Sequence, residues 1–177
     1  MDTWKFACIF LVTGVFLACA QETVFFVHPE VTNSEYRDDT DSNLVVIDTT
    51  VQSRNVLLLY IGGTFSSPRK TTLFLRQAAN MGYHVVSLTY PNEVSIQSAC
   101  GTAPEPGCFR NFRQEACFGT DVSDAITIDT VNCLATRTES LLRYLVVTRP
   151  SHRWDQFFTT AGIVWDRVMT AGHSQGA

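Results

Sequence analysis

The sequence predicts an α/β fold in which a mostly parallel sheet carries helices on both faces. Short apolar runs alternate with segments of helical periodicity, which is the order expected of parallel strands joined by crossover helices. Several runs are continuously apolar, which is typical of strands buried on both faces. Glycine-containing turns follow two of these runs, at residues 62–63 and 172–176. Such strand-to-helix turns are where α/β proteins place functional residues.

The first twenty residues have the features of a secretory signal peptide. Lys5 precedes a mostly apolar run over residues 6–17, and the small residues Ala18 and Ala20 fit a cleavage site. The run of about 12 residues is too short for a stable membrane span, which needs about 20. We therefore expect residues 1–20 to be removed, the protein to be secreted, and residues 21–177 to belong to a single domain.

Five strands are predicted from apolar runs. They cover residues 23–27, 44–47, 56–61, 85–88 and 168–171. The first run is rich in β-branched and aromatic residues, and the others read as buried strands.

A first helix is predicted between Ser67 and Gly82. Ser67 is a plausible N-cap, Pro68 occupies the first helical position, and Gly82 supplies a left-handed stop. Three residues share one face of this helix: Phe74, Ala78 and Met81.

A second helix is predicted before Pro150. The apolar stripe of this helix is formed by Leu134, Thr138, Leu141, Leu142 and Leu145. Residues 154–158 are expected to add a further, short helix. Residues 92–120 contain three cysteines and read as a long, loop-like insertion.

Four cysteines remain after removal of the leader: Cys100, Cys108, Cys117 and Cys133. An even number in an exported chain indicates disulfides, and four cysteines allow three connectivities. We favour Cys100–Cys108 and Cys117–Cys133, because residues 104–107 form a tight Pro- and Gly-containing reversal between the first two. No Cys-x2-Cys spacing is present, so no metal site is predicted.

The segment Gly172-His173-Ser174-Gln175-Gly176 fits the G-x-S-x-G nucleophile elbow. In such an elbow the serine sits on a strained strand-to-helix turn, and the flanking glycines permit close backbone approach. Ser174 is therefore the candidate nucleophile, and the Gln175 backbone N–H is a candidate oxyanion donor. His173 is expected to pack in the elbow rather than to act as the base.

The turn Gly62-Gly63-Thr64 follows a buried strand and precedes a helix, which is where a second oxyanion N–H is expected. We assign that donor to Gly63 or Thr64. The alternative is a plain tight turn, and no phosphate-binding G-x-x-x-x-G-K-[S/T] motif is present. An alternative for the base that would activate Ser174 is His152, with Asp155 as its acid.

These residues resemble the α/β-hydrolase superfamily. Tyr60 to Thr64 looks like its oxyanion loop, and Ala171 to Ala177 looks like its elbow. The cysteine-rich insertion and the second helix resemble a group of exported hydrolases. The resemblance implies an α/β-hydrolase-type, mostly parallel sheet, truncated after the nucleophile strand. It also implies that the acid and the histidine follow the nucleophile. Since the chain stops at Ala177, we expect the N-terminal half of a longer domain that is inactive by itself.

The resemblance implies a serine hydrolase of the full-length protein, acting on a small ester or similar acyl substrate without a cofactor. Two alternatives remain open. One is a non-catalytic secreted binding protein, and the other is acyl transfer to an acceptor other than water. The net charge is −4 and the basic residues are scattered, so nucleic acid is not expected as a partner.

Overall fold

The computed structural model describes residues 22–36, 41–102 and 106–177, so the predicted signal peptide lies outside the described residues. The strands are β1 (Glu22–Val27), β2 (Asn43–Asp48), β3 (Leu57–Ile61), β4 (His84–Leu88), β5 (Phe158–Thr159), β6 (Gly162–Ile163) and β7 (Val168–Gly172). The α-helices of the described residues are α1 (Thr72–Asn80), α2 (Ile96–Cys100), α3 (Cys108–Phe118) and α4 (Leu134–Thr148).

Five strands form one mixed sheet in the order β1-β2-β4-β3-β7. The β1–β2 and β2–β4 pairs are antiparallel, whereas β3 runs parallel to both β4 and β7. The prediction of a mostly parallel, α/β-hydrolase-type sheet is therefore wrong. A continuous apolar run indicates burial on both faces but carries no direction. Residues 49–56 contain no helix, and the chain reverses there between β2 and β3. Because β4 runs parallel to β3, it meets β2 in the antiparallel sense.

Each face of the sheet packs against a helix. On one face α1 contributes Leu75, Ala78 and Ala79 to a core with residues of β2, β3 and β4. On the other face the apolar stripe predicted for the second helix is buried in α4, and it packs on β2, β3 and β4. The face predicted for the first helix is only partly right, because Phe74 and Met81 are half exposed.

The start and end of the first helical segment agree with the sequence. The Ser67 side chain accepts a hydrogen bond from the Arg69 N–H, and Pro68 begins a 3-10 turn that leads into α1. Gly82 follows α1 with a φ of +89°, a conformation that glycine adopts without steric cost.

The insertion is not loop-like: it contains α2 and α3. These helices, with residues 123–135, bury a small core of their own around Ile96, Phe112 and Ile128. The left-handed residues Gly107 and Gly119 bound α3. The sequence does not indicate these short helices, because the cysteine, proline and glycine residues around them are typical of loops.

The structure joins Cys100 to Cys108 in a disulfide, the first of the two predicted pairings. The second pairing is wrong, because Cys117 and Cys133 are both free. Cys133 lies just before α4, and the Thr130 carbonyl and Thr136 Oγ1 share its single S–H donor, each at 3.3 Å from Sγ.

After α4 the chain forms short 3-10 turns, one of them over Trp154–Phe157, where a short helix was predicted. The hairpin β5–β6 that follows was not predicted, since each of its strands has two residues. In the described part of the chain, no helix has the length and apolar character needed to cross a membrane.

Candidate functional site

The elbow lies where β7 ends. Ser174 is an exposed residue with a φ of +58°, and it begins a 3-10 turn over Ser174–Gly176. A left-handed conformation at a non-glycine residue costs about 1–3 kcal/mol and persists only where neighbouring structure imposes it. A Cβ on Gly172 would collide with the Gly176 carbonyl oxygen, and one on Gly176 would collide with the Ile61 carbonyl oxygen. Both motif glycines are therefore needed for the tight bend.

The Gly62–Gly63 turn packs directly against this elbow. The two turns meet because β3 and β7 are parallel neighbours, with Ile61 in register with Gly172. A Cβ added to Gly63 would lie 2.9 Å from Ser174 Cβ and 3.0 Å from the His173 carbonyl oxygen. The structure thus brings together the two glycine turns singled out in the sequence.

Three backbone N–H groups at this junction have no acceptor in the described part of the chain. They belong to the residues predicted as oxyanion donors: Gly63, Thr64 and Gln175. Gly63 is also buried. Buried N–H groups are nearly always paired in folded proteins, so unpaired ones are unusual. Beside an exposed serine they can donate hydrogen bonds to an anion or to a developing negative charge.

The chain after β4 fixes the carbonyl side of the glycine turn. The Tyr90 hydroxyl donates to the Gly62 carbonyl at 2.6 Å, and Asn92 Nδ2 donates to the carbonyls of Gly63 at 2.9 Å and Ser66 at 3.0 Å. Burial raises the pKa of Tyr90, so its hydroxyl keeps the proton it donates at neutral pH. Because the carbonyls of Gly62 and Gly63 are engaged by Tyr90 and Asn92, the N–H groups of the turn are directed away from these two side chains.

The side chain of Gln175 makes two further contacts. Its Oε1 accepts a hydrogen bond from Thr64 Oγ1 at 2.7 Å and from the Ile96 N–H at 3.1 Å. Gln175 therefore contacts the glycine turn and the first residue of α2 at once.

The histidines that precede the elbow lie far from Ser174. His84 pairs with Leu57 at the opposite end of β3 from Ile61, four residues away or about 13 Å along the strand. His84 Nε2 lies 2.7 Å from the His152 carbonyl, so His152 is at that end too. The alternative of His152 with Asp155 is therefore wrong, and Asp155 instead pairs with Arg153 at 3.1 Å.

His28 follows β1, at the opposite edge of the sheet from β7. His173 is exposed, and its Nδ1 lies 3.4 Å from the position that a Cβ on Gly63 would occupy. Among the described residues, no hydrogen bond joins a histidine ring to Ser174, and no group of three or more His, Cys, Asp or Glu could hold a metal ion.

An apolar groove opens beside the elbow, on the α4 face of β3 and β7. Two adjoining cavities of about 310 and 260 Å³ share Ile61, Cys117, Leu134 and Thr170, and the smaller one reaches Gln175. Burial raises the pKa of the Cys117 thiol, so Cys117 is neutral at neutral pH, while Arg113 lines the smaller cavity beside it.

The sequence pattern does not predict Tyr90, Asn92 or the side-chain role of Gln175 as parts of the site. Tyr90 and Asn92 follow a predicted strand whose end lies beside the glycine turn, which is the one feature that could have pointed to them. Comparison with protein-family models, with curated proteins and with solved structures found no match for this chain.

Proposed function

We propose that the protein is a serine hydrolase that transfers the acyl group of an ester or similar small substrate to water. The observation that carries the proposal is the packing of Gly63 against Ser174, which gathers unpaired N–H groups beside a strained, exposed serine. A tetrahedral oxyanion needs such donors, and removing one typically costs 10²–10³ in rate.

In this mechanism Ser174 Oγ attacks the substrate carbonyl carbon and gives its proton to a general base. The N–H groups of Gln175 and of Gly63 or Thr64 stabilise the negative charge on the carbonyl oxygen. The bond to the leaving alcohol then breaks and the base returns the proton to that alcohol. Water attacks the acyl-serine by the same route and releases the acid.

The general base is none of His28, His84 and His152, because all three lie at other edges or ends of the sheet. A serine without a base is a weak nucleophile at neutral pH. The predicted leader and the Cys100–Cys108 disulfide favour an activity outside the cell.

The absence of a histidine at Ser174 within the described residues also favours a second function, a secreted binding protein without catalysis. One experiment separates the two. The full-length natural protein is treated with a fluorophosphonate, and the modified serine is mapped by mass spectrometry.

We expect the reagent to modify Ser174 in the wild type and to leave Ser174→Ala unmodified at this position. Ser98→Ala, which changes an exposed serine of α2, should be modified at Ser174 as the wild type is. Hydrolysis of p-nitrophenyl esters should fall at least about 10³-fold in Ser174→Ala. A folded full-length protein that leaves Ser174 unmodified would exclude the hydrolase and favour the binding protein.

A further inference from the structure

The Gln175 carboxamide oxygen contacts two other segments of the chain at the elbow. It accepts from Thr64 Oγ1 at 2.7 Å and from the Ile96 N–H at 3.1 Å. A carboxamide oxygen has two lone pairs, so these two donors satisfy it fully. Because Gln175 directly follows Ser174, both hydrogen bonds restrain the backbone next to the nucleophile.

We propose that the Gln175 side chain is a positioning residue, which holds the glycine turn and the insertion against the elbow so that the N–H groups of both turns face one point. This inference rests on the proposed hydrolase function. It assigns to Gln175 a side-chain role that is separate from its backbone N–H.

The contact with Thr64 orients the part of the glycine turn that carries the Gly63 and Thr64 N–H groups. Threonine is restricted about χ1, so a fixed Oγ1 also fixes the Thr64 backbone. Tyr90 and Asn92 engage the carbonyls of this turn, as described above, while Gln175 engages its side chain. The turn is thereby fixed from two sides, while the N–H groups of Gly63 and Thr64 have no partner among the described residues.

The contact with Ile96 joins the insertion to the site. Ile96 is the first residue of α2 and is buried, and an N–H at that position has no acceptor within its own helix. Gln175 supplies that acceptor. Because α2 ends at Cys100, whose disulfide partner Cys108 begins α3, the disulfide restrains the segment that contacts Gln175. The insertion accordingly stabilises the elbow.

The test compares rates of fluorophosphonate labelling at Ser174 in the full-length natural protein. Thr64→Val removes the hydroxyl donor and keeps the shape, whereas Thr64→Ser keeps the donor. Gln175→Met removes the acceptor and keeps the length. Gln156→Met is the matched control, because Gln156 lies at the His84 end of the sheet. The thermal unfolding midpoint of every variant is measured in parallel.

We expect Thr64→Val to lower the maximal labelling rate about 10-fold and Gln175→Met about 10- to 100-fold, because displaced oxyanion donors slow the chemical step. The reagent concentration for half-maximal rate should change little. Thr64→Ser should recover most of the loss, and Gln156→Met should match the wild type. The double variant should be no slower than Gln175→Met, since both substitutions break one shared contact.

Two results would overturn the inference. One is a Thr64→Val and a Gln175→Met protein that are folded and labelled at the wild-type rate. The other concerns the double variant. If its labelling rate is lower than that of Gln175→Met by the same factor by which Thr64→Val alone lowers the rate, Thr64 acts independently of Gln175. If Gln175→Met does not fold, the comparison of Thr64→Val with Thr64→Ser decides. A wild-type protein that is not labelled at all would instead reject the proposed function itself.

Discussion

The candidate site depends on the absence of a Cβ atom at Gly63. The two nearest neighbours of a Cβ at Gly63 would be Ser174 Cβ at 2.9 Å and the His173 carbonyl oxygen at 3.0 Å. Both atoms are fixed by the backbone, so neither can rotate away as the end of a long side chain could. The φ of Gly63 lies outside the left-handed region, so the need for glycine here is one of space only.

We therefore predict that Gly63→Ala separates the glycine turn from the elbow and slows labelling of Ser174 by about 10²-fold, the cost expected when an oxyanion donor is misplaced. Overpacking should also lower the free energy of unfolding by about 1–3 kcal/mol. The measurements are the labelling rate and urea unfolding of the full-length protein.

Gly162→Ala is the matched control for this substitution. Gly162 lies in the β5–β6 hairpin with a φ of +106°, and a Cβ there would meet only Glu139 Oε2 at 3.8 Å, so alanine strains the backbone without moving the elbow. It should lower stability and leave the labelling rate unchanged. Equal labelling rates in Gly63→Ala and Gly162→Ala would contradict the steric role of Gly63.

The residues of the candidate site fall into two groups by how far the sequence could predict them. Ser174, Gln175 and Gly63 stand in short glycine motifs, whose spacing reflects a local backbone requirement that a sequence displays directly. Tyr90 and Asn92 act through contacts 26–29 residues away along the chain. Such contacts depend on strand order, which no local pattern contains.

At the scale of the element, the insertion is organised by one buried carboxylate. Glu115 of α3 is 1% exposed, and it accepts hydrogen bonds from the backbone N–H groups of Val122, Ser123 and Ile128 at 2.9–3.2 Å. These residues belong to an irregular segment that packs beside α3. The carboxylate thus replaces the backbone partners that a helix or strand would provide.

We predict that Glu115→Gln lowers the free energy of unfolding by about 1–3 kcal/mol, because an amide nitrogen would face a backbone N–H and leave it unpaired. Glu139→Gln is the control: Glu139 forms an exposed i,i+4 pair with Arg143, worth about 0.3–0.5 kcal/mol. Urea unfolding gives both values, and hydrogen exchange should accelerate at residues 122–128. Equal losses in the two variants would show that Glu115 is not the organising group.

The elements themselves were predictable where one physical requirement dominates. The positions of the five strands of the large sheet and of α4 follow from apolar patterns that burial imposes. Strand direction does not, because the same apolar run serves a parallel or an antiparallel strand. For α1 the predicted face was partly wrong: Leu75 and Ala79 are buried in the small space beneath the helix, and the larger Phe74 and Met81 remain half exposed.

At the scale of the whole molecule, the two ends of the sheet differ in chemistry. The end with Ser174 carries unpaired N–H groups and bound carbonyls. At the other end His84 is buried against Trp154 and Phe157, with ring centroids at 5.0 and 4.9 Å. His84 Nε2 contacts the His152 carbonyl at 2.7 Å, and Nδ1 has no partner among the described residues.

This burial makes the stability of the fold depend on pH. Burial is the main cause that lowers the pKa of His84 in the folded protein. The hydrogen bond to the His152 carbonyl offsets part of this effect, and the charge of the His152 ring lowers the pKa to a smaller extent. An unfolded histidine titrates near 6.5. Below that pH the unfolded chain binds a proton more readily than the folded one, so the free energy of unfolding decreases as the pH falls. The decrease continues down to the folded-state pKa and approaches about 1.4 kcal/mol per pH unit at most.

We predict that His84→Gln removes this part of the pH dependence. The glutamine amide can still donate to the His152 carbonyl but does not titrate, so the variant should be less stable at pH 7 and lose less stability between pH 7 and pH 5. Urea unfolding followed by tryptophan fluorescence measures both curves, since Trp154 is fully buried beside the ring. His28→Gln, at a partly exposed histidine, is the matched control for the substitution itself. If the curve of His84→Gln is parallel to that of the wild type, His84 does not couple protonation to folding.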